Sequence, residues 1–154
     1  MAKYLLDTCV CISMFRNEGR VRETLLKVGI KNCYVSEITI AELYFGLAKA
    51  EDKKGKLDDI REVERLFRVI PAYSSFKEYG EIRQSLEHTG QRVDLFDLLI
   101  GATALHHKLT LVTSNLKHFE RMQGIEIENW IFVAGHHAVG VLTGNAHEVG
   151  QTCT

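Results

Sequence analysis

Lys3–Ile12 reads KYLLDTCVCI, and the way this stretch ends decides the fold. Tyr4, Leu5 and Leu6 make an apolar run too short for a helix and suited to a strand buried on both faces. The run stops on Asp7, followed at once by the Thr8 hydroxyl and the Cys9 thiol. A carboxylate at the end of a buried strand must meet water or a partner, because an isolated buried charge is costly. The reading adopted here is that Asp7 stays exposed and that a cation is its partner.

Short apolar runs of the same kind recur along the chain. NCYVSEI (32–38), RVIPAY (68–73), LTLVTS (109–114) and IEIENW (125–130) read as further strands. Between them lie longer amphipathic segments. VCISMF and RVRETLLKV read as short helices after the first strand, and TIAELYFGLAKA (39–50) as a helix after the second. Thr39 and Glu42 have the T-x-x-E spacing of a capping box at the start of that helix. KKGKLDDIREVERLFR carries Leu57, Ile60, Val63, Leu66 and Phe67 on one stripe. Helices are also predicted over Phe76–His88 and DLFDLLIGATALHH. Strands alternating with helices, and apolar throughout, predict an α/β fold: a three-layer sandwich with a short, mainly parallel sheet flanked by helices.

The 154 residues, 45% hydrophobic and 25% charged, suffice for one domain with a real core. A net charge of −1 gives no global electrostatic case for nucleic acid, so such a partner needs a local basic patch. Lys49–Arg68 holds 13 charged residues in 20, mixed in sign, which reads as a solvated helix face. No apolar run approaches the ~20 residues of a membrane span, and the N-terminus lacks the pattern of a signal peptide. A cytoplasmic protein with no membrane partner is expected. Cys9, Cys11, Cys33 and Cys153 lack metal-knuckle or redox spacing and read as buried thiols. Residues 1–130 read as the folded domain. Residues 131–154, without Lys or Arg and with four glycines, read as a loosely ordered or non-native tail. His136, His137 and His147 in that tail are not read as a biological site.

Four oxygen-bearing side chains fall at the carboxyl ends of strands or at the helices that follow, where open parallel sheets build their sites. They are Asp7, Glu42, Asp97 and Asn115. Each has a local explanation as a cap, a first-turn acid or a turn residue. Asp94 reads as the N-cap of the helix carrying Asp97, with an auxiliary acid as the alternative. Together, three converging carboxylates repel one another and require a cation. Oxygen ligands without His or Cys suit Mg²⁺ or Mn²⁺.

LLDTCVCI, SEITIAELYFGL, DLFDLLIGATAL and LTLVTSNLKHFERMQGIEIENW, in this order and spacing, resemble the PIN-domain family. The likeness is greatest to the VapC-type ribonuclease toxins of toxin–antitoxin modules, and it covers about Lys3 to Trp130. It implies a metal-dependent endoribonuclease whose acidic site is Asp7, Glu42 and Asp97. Asn115 stands at a fourth position and Thr113 at a hydroxyl position two residues earlier. It implies direct metal ligation chiefly by Asp7 and Asp97 with Glu42 close by, an RNA substrate, a VapB-type antitoxin partner and a homodimer. The antitoxin is expected to lie along an apolar groove and point an Arg at the acids. Leu43, Phe45 and Leu47, which cannot all face one core, mark a candidate groove or dimer contact. This chain departs from the family at Cys9, where Asn is usual, which leaves a hydrogen bond near the site missing or replaced.

Candidate RNA contacts are Arg16, Arg20, Arg22, Arg92, Lys117 and Arg121, each near a site residue in sequence. An aspartyl-phosphate phosphohydrolase is disfavoured, because Cys9 stands where a second acid is needed. Nucleotide-binding glycine patterns do not occur. A catalytically silent PIN fold that only binds RNA or protein is the remaining alternative, and retention of the acidic trio argues against it.

Overall fold

The computed structural model describes residues 1–132. Five strands form one sheet: β1 (Tyr4–Leu6), β2 (Cys33–Ser36), β3 (Arg68–Ile70), β4 (Thr110–Val112) and β5 (Ile127–Glu128). Their order across the sheet is β3-β2-β1-β4-β5, and every neighbouring pair is parallel. The expected mainly parallel sheet is thus wholly parallel. Leu6 pairs with Val35 on one side and Val112 on the other, so β1 is central and the chain leaves it in opposite directions. That reversal opens a crevice at the carboxyl end of β1.

Helices α1 (Thr8–Phe15), α2 (Val21–Val28), α3 (Glu37–Lys49) and α4 (Lys53–Leu66) follow β1 and β2. Helices α5 (Phe76–His88), α6 (Leu95–His107) and α7 (Leu116–Phe119) follow β3 and β4. The pleat divides the apolar residues between two cores. Tyr4, Leu6, Val35 and Val112 pack with Val10, Val21, Leu43, Ile60 and Val63 of the first four helices. Leu5 and Leu111 point the other way, onto Leu98, Ile100, Ala104 and Phe119. This is the three-layer sandwich, and it explains strands that are apolar at consecutive positions.

The stripe on α4 behaves as its spacing requires: Ile60 and Val63 are buried, while the charged residues between them face solvent. The start of α3 differs from expectation. Ser36 is the N-cap, its hydroxyl accepting from Ile38 N at 3.1 Å, so the cap falls three residues before the expected Thr39. Ser36 leaves β2 already extended at the point where a cap is needed, which draws Thr39 and Glu42 into the body of the helix. On α3, Leu43 is buried and Leu47 is packed against the core, whereas Phe45 is exposed beneath the Lys49 ammonium at 4.3 Å.

Cys11 and Cys33 are buried thiols whose pKa values burial raises. Cys153, the three tail histidines and nearly all of the proposed tail lie outside the described residues. Ile131, just beyond the expected domain limit, still packs against the core. Arg20 N donates to Trp130 O at 2.9 Å, and Gly19, at φ +59°, passes directly over the Ile131 backbone. A Cβ there would collide with main chain that cannot yield, in a conformation side chains rarely adopt. Gly19→Ala is therefore expected to cost about 1–3 kcal/mol in urea unfolding, while Gly90→Ala, with open space around it, costs less.

Candidate active site

Asp7 caps α1. Its Oδ1 accepts from Thr8 N at 2.8 Å, and its Oδ2 accepts from the Thr113 hydroxyl at 2.7 Å. Asp7 N in turn donates to Val112 O, which ties the carboxylate to the end of β4. The carboxylate is only 3% exposed, so the expectation of an exposed Asp7 is corrected. The helix it caps and the 113–115 turn close over it, and these hydrogen bonds take the place of water. Oδ2 also takes the weaker Cys9 thiol contact, while Oδ1 keeps a further lone pair.

Thr8 links this acid to the next. Its hydroxyl donates to Glu42 Oε2 and stands 3.4 Å from the buried Thr39 hydroxyl. Glu42, displaced from the expected capping role, is thus aimed at the end of β1. Asp97 lies in the first turn of α6, with its Oδ2 2.6 Å from His118 Nδ1. Asp94 is the N-cap of α6, accepting from Phe96 N at 2.8 Å, as its cap reading requires.

The acids are electrostatically coupled. Burial pushes the Asp7 carboxyl well above the ordinary carboxylate range; the Cys9 sulfur and the charge of Asp97 add to this, against the two hydrogen bonds. Glu42 is raised by burial, then by Asp97 and Asp94, and is lowered by Thr8. Asp97 is raised by burial and by Asp94, and is lowered by His118. The structure therefore brings Asp7, Glu42 and Asp97 into one electrostatic cluster. Thr113 joins as the hydroxyl that orients Asp7. Asn115 enters through its backbone, N donating to Thr113 Oγ1 at 3.0 Å, and its side chain makes no hydrogen bond among the described residues.

Two participants escaped the sequence reading. Thr8 bridges Asp7 and Glu42, and its signal was its place directly after the strand-end acid. His118 contacts Asp97 from α7, and its signal was weaker: one helical turn past Asn115. The departure at Cys9 is filled by sulfur contacts. Cys9 Sγ lies 3.7 Å from both Asp7 Oδ2 and Thr113 Oγ1, and the Ser114 hydroxyl donates to it at 3.4 Å.

This donor set fits a hard divalent cation. The oxygens are carboxylate and hydroxyl, and among the described residues no Lys or Arg pairs with any of the three acids. No three His, Cys, Asp or Glu side chains of the described residues already stand at mutual ligating distance. An ion here would take one or two carboxylates directly and complete its shell with water, the habit of Mg²⁺.

A wholly parallel sheet with acids gathered at the carboxyl end of its central strand defines an open α/β fold whose site lies at the strand ends. The PIN domain model matches residues 4–125. Ribonuclease VapC2 of Rickettsia felis is 33% identical over 132 residues, covering 82% of this chain and 97% of that protein. The tRNA(fMet)-specific endonuclease VapC of Shigella flexneri is also 33% identical, over 84% of this chain and 99% of that protein. DNA-bound VapBC from Salmonella typhimurium superposes with a TM-score of 0.78 at 30% identity, covering 84% of this chain and 99% of that one. The chain belongs to the PIN-domain family, among the VapC ribonucleases.

The raised pKa values set the sign of the pH dependence. Between the unfolded carboxylate values of about 4 and the raised folded values, the native state binds more protons than the unfolded one. Metal-free stability is therefore fully present below about 4 as far as these groups are concerned, and falls as pH rises through the folded values. Mg²⁺ is expected to raise the Tm more at pH 7.5 than at pH 5. Metal-free Asp97→Asn should be unchanged or up to about 1 kcal/mol more stable at pH 7.5. Thr113→Val, which removes the donor to a buried carboxylate, should lose about 1–3 kcal/mol by chemical denaturation.

Proposed function

We propose that this chain is a Mg²⁺- or Mn²⁺-dependent endoribonuclease, the toxin of a VapBC-type toxin–antitoxin pair, acting in the cytoplasm. The observation that carries the reading is the electrostatic coupling of Asp7, Glu42 and Asp97 from separate segments, with no Lys or Arg paired to them among the described residues, in a chain related to ribonucleases over most of its length. Asp7 and Asp97 would hold the ion directly, with Glu42 beside it. When bound, the ion supplies an acidified water and offsets the charge that builds on the phosphorus being attacked.

The remaining steps belong to the protein. Thr113 and Thr8 N fix the Asp7 carboxylate so that it need not reorganise. Glu42, raised above the ordinary carboxylate range, is better matched to accept a proton near neutrality than a solvated Glu, and Thr8 holds it in place. Asn115, at the end of β4, completes the polar rim. The nuclease domain is assigned to residues 1–130, with residues 131–154 as a C-terminal tail.

Two relatives are named tRNA(fMet)-specific endonucleases, so initiator transfer RNA is the first substrate to try. Structural neighbours are VapBC complexes, which supports a VapB-type antitoxin partner. The exposed Tyr44 and Phe45 on α3, and Leu95 and Phe96 on α6, offer apolar surface for that antitoxin or for a homodimer. In a cleavage assay with initiator tRNA and other structured RNAs, Mg²⁺ or Mn²⁺ is expected to support cutting and EDTA to abolish it. Asp7→Asn and Asp97→Asn should each lose at least about 100-fold, the upper range seen for residues that only support a metal ligand. Wild type and variants equally inert, or equally active, would overturn the assignment and leave a silent binding module.

A further inference from the structure

The six cations near the site in sequence are not equivalent in space. Arg16 and Arg20 lie 4.0 Å from the carboxylates of Glu18 and Glu23. Arg22 donates to the carbonyls of Met14 and Phe15 at the end of α1. Lys117 is exposed on α7 and does not line the cleft beside His118. Arg92 and Arg121 differ from all of these. They come from separate segments, the loop before α6 and the turn after α7, and line one small cleft with Val93, Asp94 and His118. Among the described residues neither is ion-paired.

The cleft adjoins the acid cluster at His118. His118 forms its wall and places Nδ1 2.6 Å from Asp97 Oδ2. Its volume, about 140 Å³, is well below the roughly 300–1,000 Å³ of pockets that enclose a whole organic ligand. It suits one ionic group. Two guanidiniums facing one space without carboxylate partners favour an anion with several acceptor oxygens, and their planar forks match phosphate. Asp94 is the one carboxylate in the lining, and its Oδ1 is engaged by Phe96 N.

We propose that the Arg92–Arg121 cleft seats a backbone phosphate of the RNA, next along the strand from the phosphate being cut. It positions the strand relative to Asp97 and carries no sequence information. The inference rests on the ribonuclease reading. It explains how a chain of net charge −1 can hold RNA at an acidic centre: the attraction is local and beside the acids rather than spread over the surface.

The test measures binding and cleavage separately. A fluorescent, uncleavable 2′-O-methyl RNA 12-mer is titrated with the full chain across a salt series, with Mg²⁺ and with EDTA. Arg92→Gln and Arg121→Gln, both at exposed positions, should each weaken binding about three- to tenfold at low salt. If both contact one phosphate, the double variant should lose little beyond the singles, and the salt slope should fall by about 0.7, the value for one single-strand phosphate contact. Asp94→Asn keeps an equally good N-cap and should tighten binding by removing the cleft's carboxylate. In cleavage of initiator tRNA the Arg variants should raise KM with kcat held within about twofold, as expected for a group that binds substrate and transition state alike.

Arg variants that bind and cleave like wild type overturn the phosphate seat while leaving the ribonuclease intact. Arg variants that bind RNA normally but lose a purified antitoxin reassign the cleft to the partner and also overturn it. A wild type that binds the 12-mer through both Arg residues yet cuts no RNA in Mg²⁺ sinks the enzymatic reading instead, and with it the placement beside a cleavable phosphate.

Discussion

A carboxylate buried at the end of the central strand is the constraint around which the rest of this molecule is arranged. Asp7 leaves water at the point where the chain diverges to both halves of the sheet, and burial above all opposes its charge. The protein compensates with dipoles rather than with a counter-charge: an α1 amide and the Thr113 hydroxyl. Those groups orient the acid without neutralising it. What they leave is a fixed, under-compensated negative site, which Glu42 and Asp97 make more negative still.

The connections of the sheet are what bring the other acids there. The α3 helix leaves β2 at the same end and carries Glu42 inward, and α6 begins at that end with Asp97 in its first turn. Helix α3 touches both α1 and α6, so Thr8 can bridge Asp7 to Glu42 across 34 residues of sequence. The stability cost of gathering like charges falls on the metal-free fold; the cation proposed above would return it and so couple folding to metal at the same residues. The Cys9 substitution fits this scheme: a polarisable thiol takes the place of an amide beside Asp7, and the hydroxyls of Thr113 and Ser114 surround it.

The cations follow the opposite logic. Those near α1 and α2 are consumed by local carboxylates and helix-end carbonyls, where they serve the fold. Arg92 and Arg121 stay uncommitted and face a space one histidine away from the acid cluster. An acidic protein can in this way present attraction and repulsion side by side, which orders a polyanion more narrowly than a uniformly basic surface would.

Much of this was legible in the residues themselves. Continuous apolar strands, amphipathic helices and acids recurring at strand ends are local patterns, so the three-layer α/β fold could be read from spacing, and Asp7, Glu42 and Asp97, with Thr113 added by family likeness, could be proposed as the candidate site. Other features depend on neighbours that no local pattern contains. Thr39 and Glu42 match a capping box in sequence, yet Ser36 caps the helix because β2 delivers it there first. Asp7 looked exposed beside its own strand, and only the turn at Thr113, more than a hundred residues away, buries it. The contact of His118 with Asp97, and the division of the arginines into engaged and uncommitted, arise likewise from chain crossings. Periodicity is a property of the covalent chain, whereas the fate of a charge is set by whatever dielectric and partners the folded chain places around it.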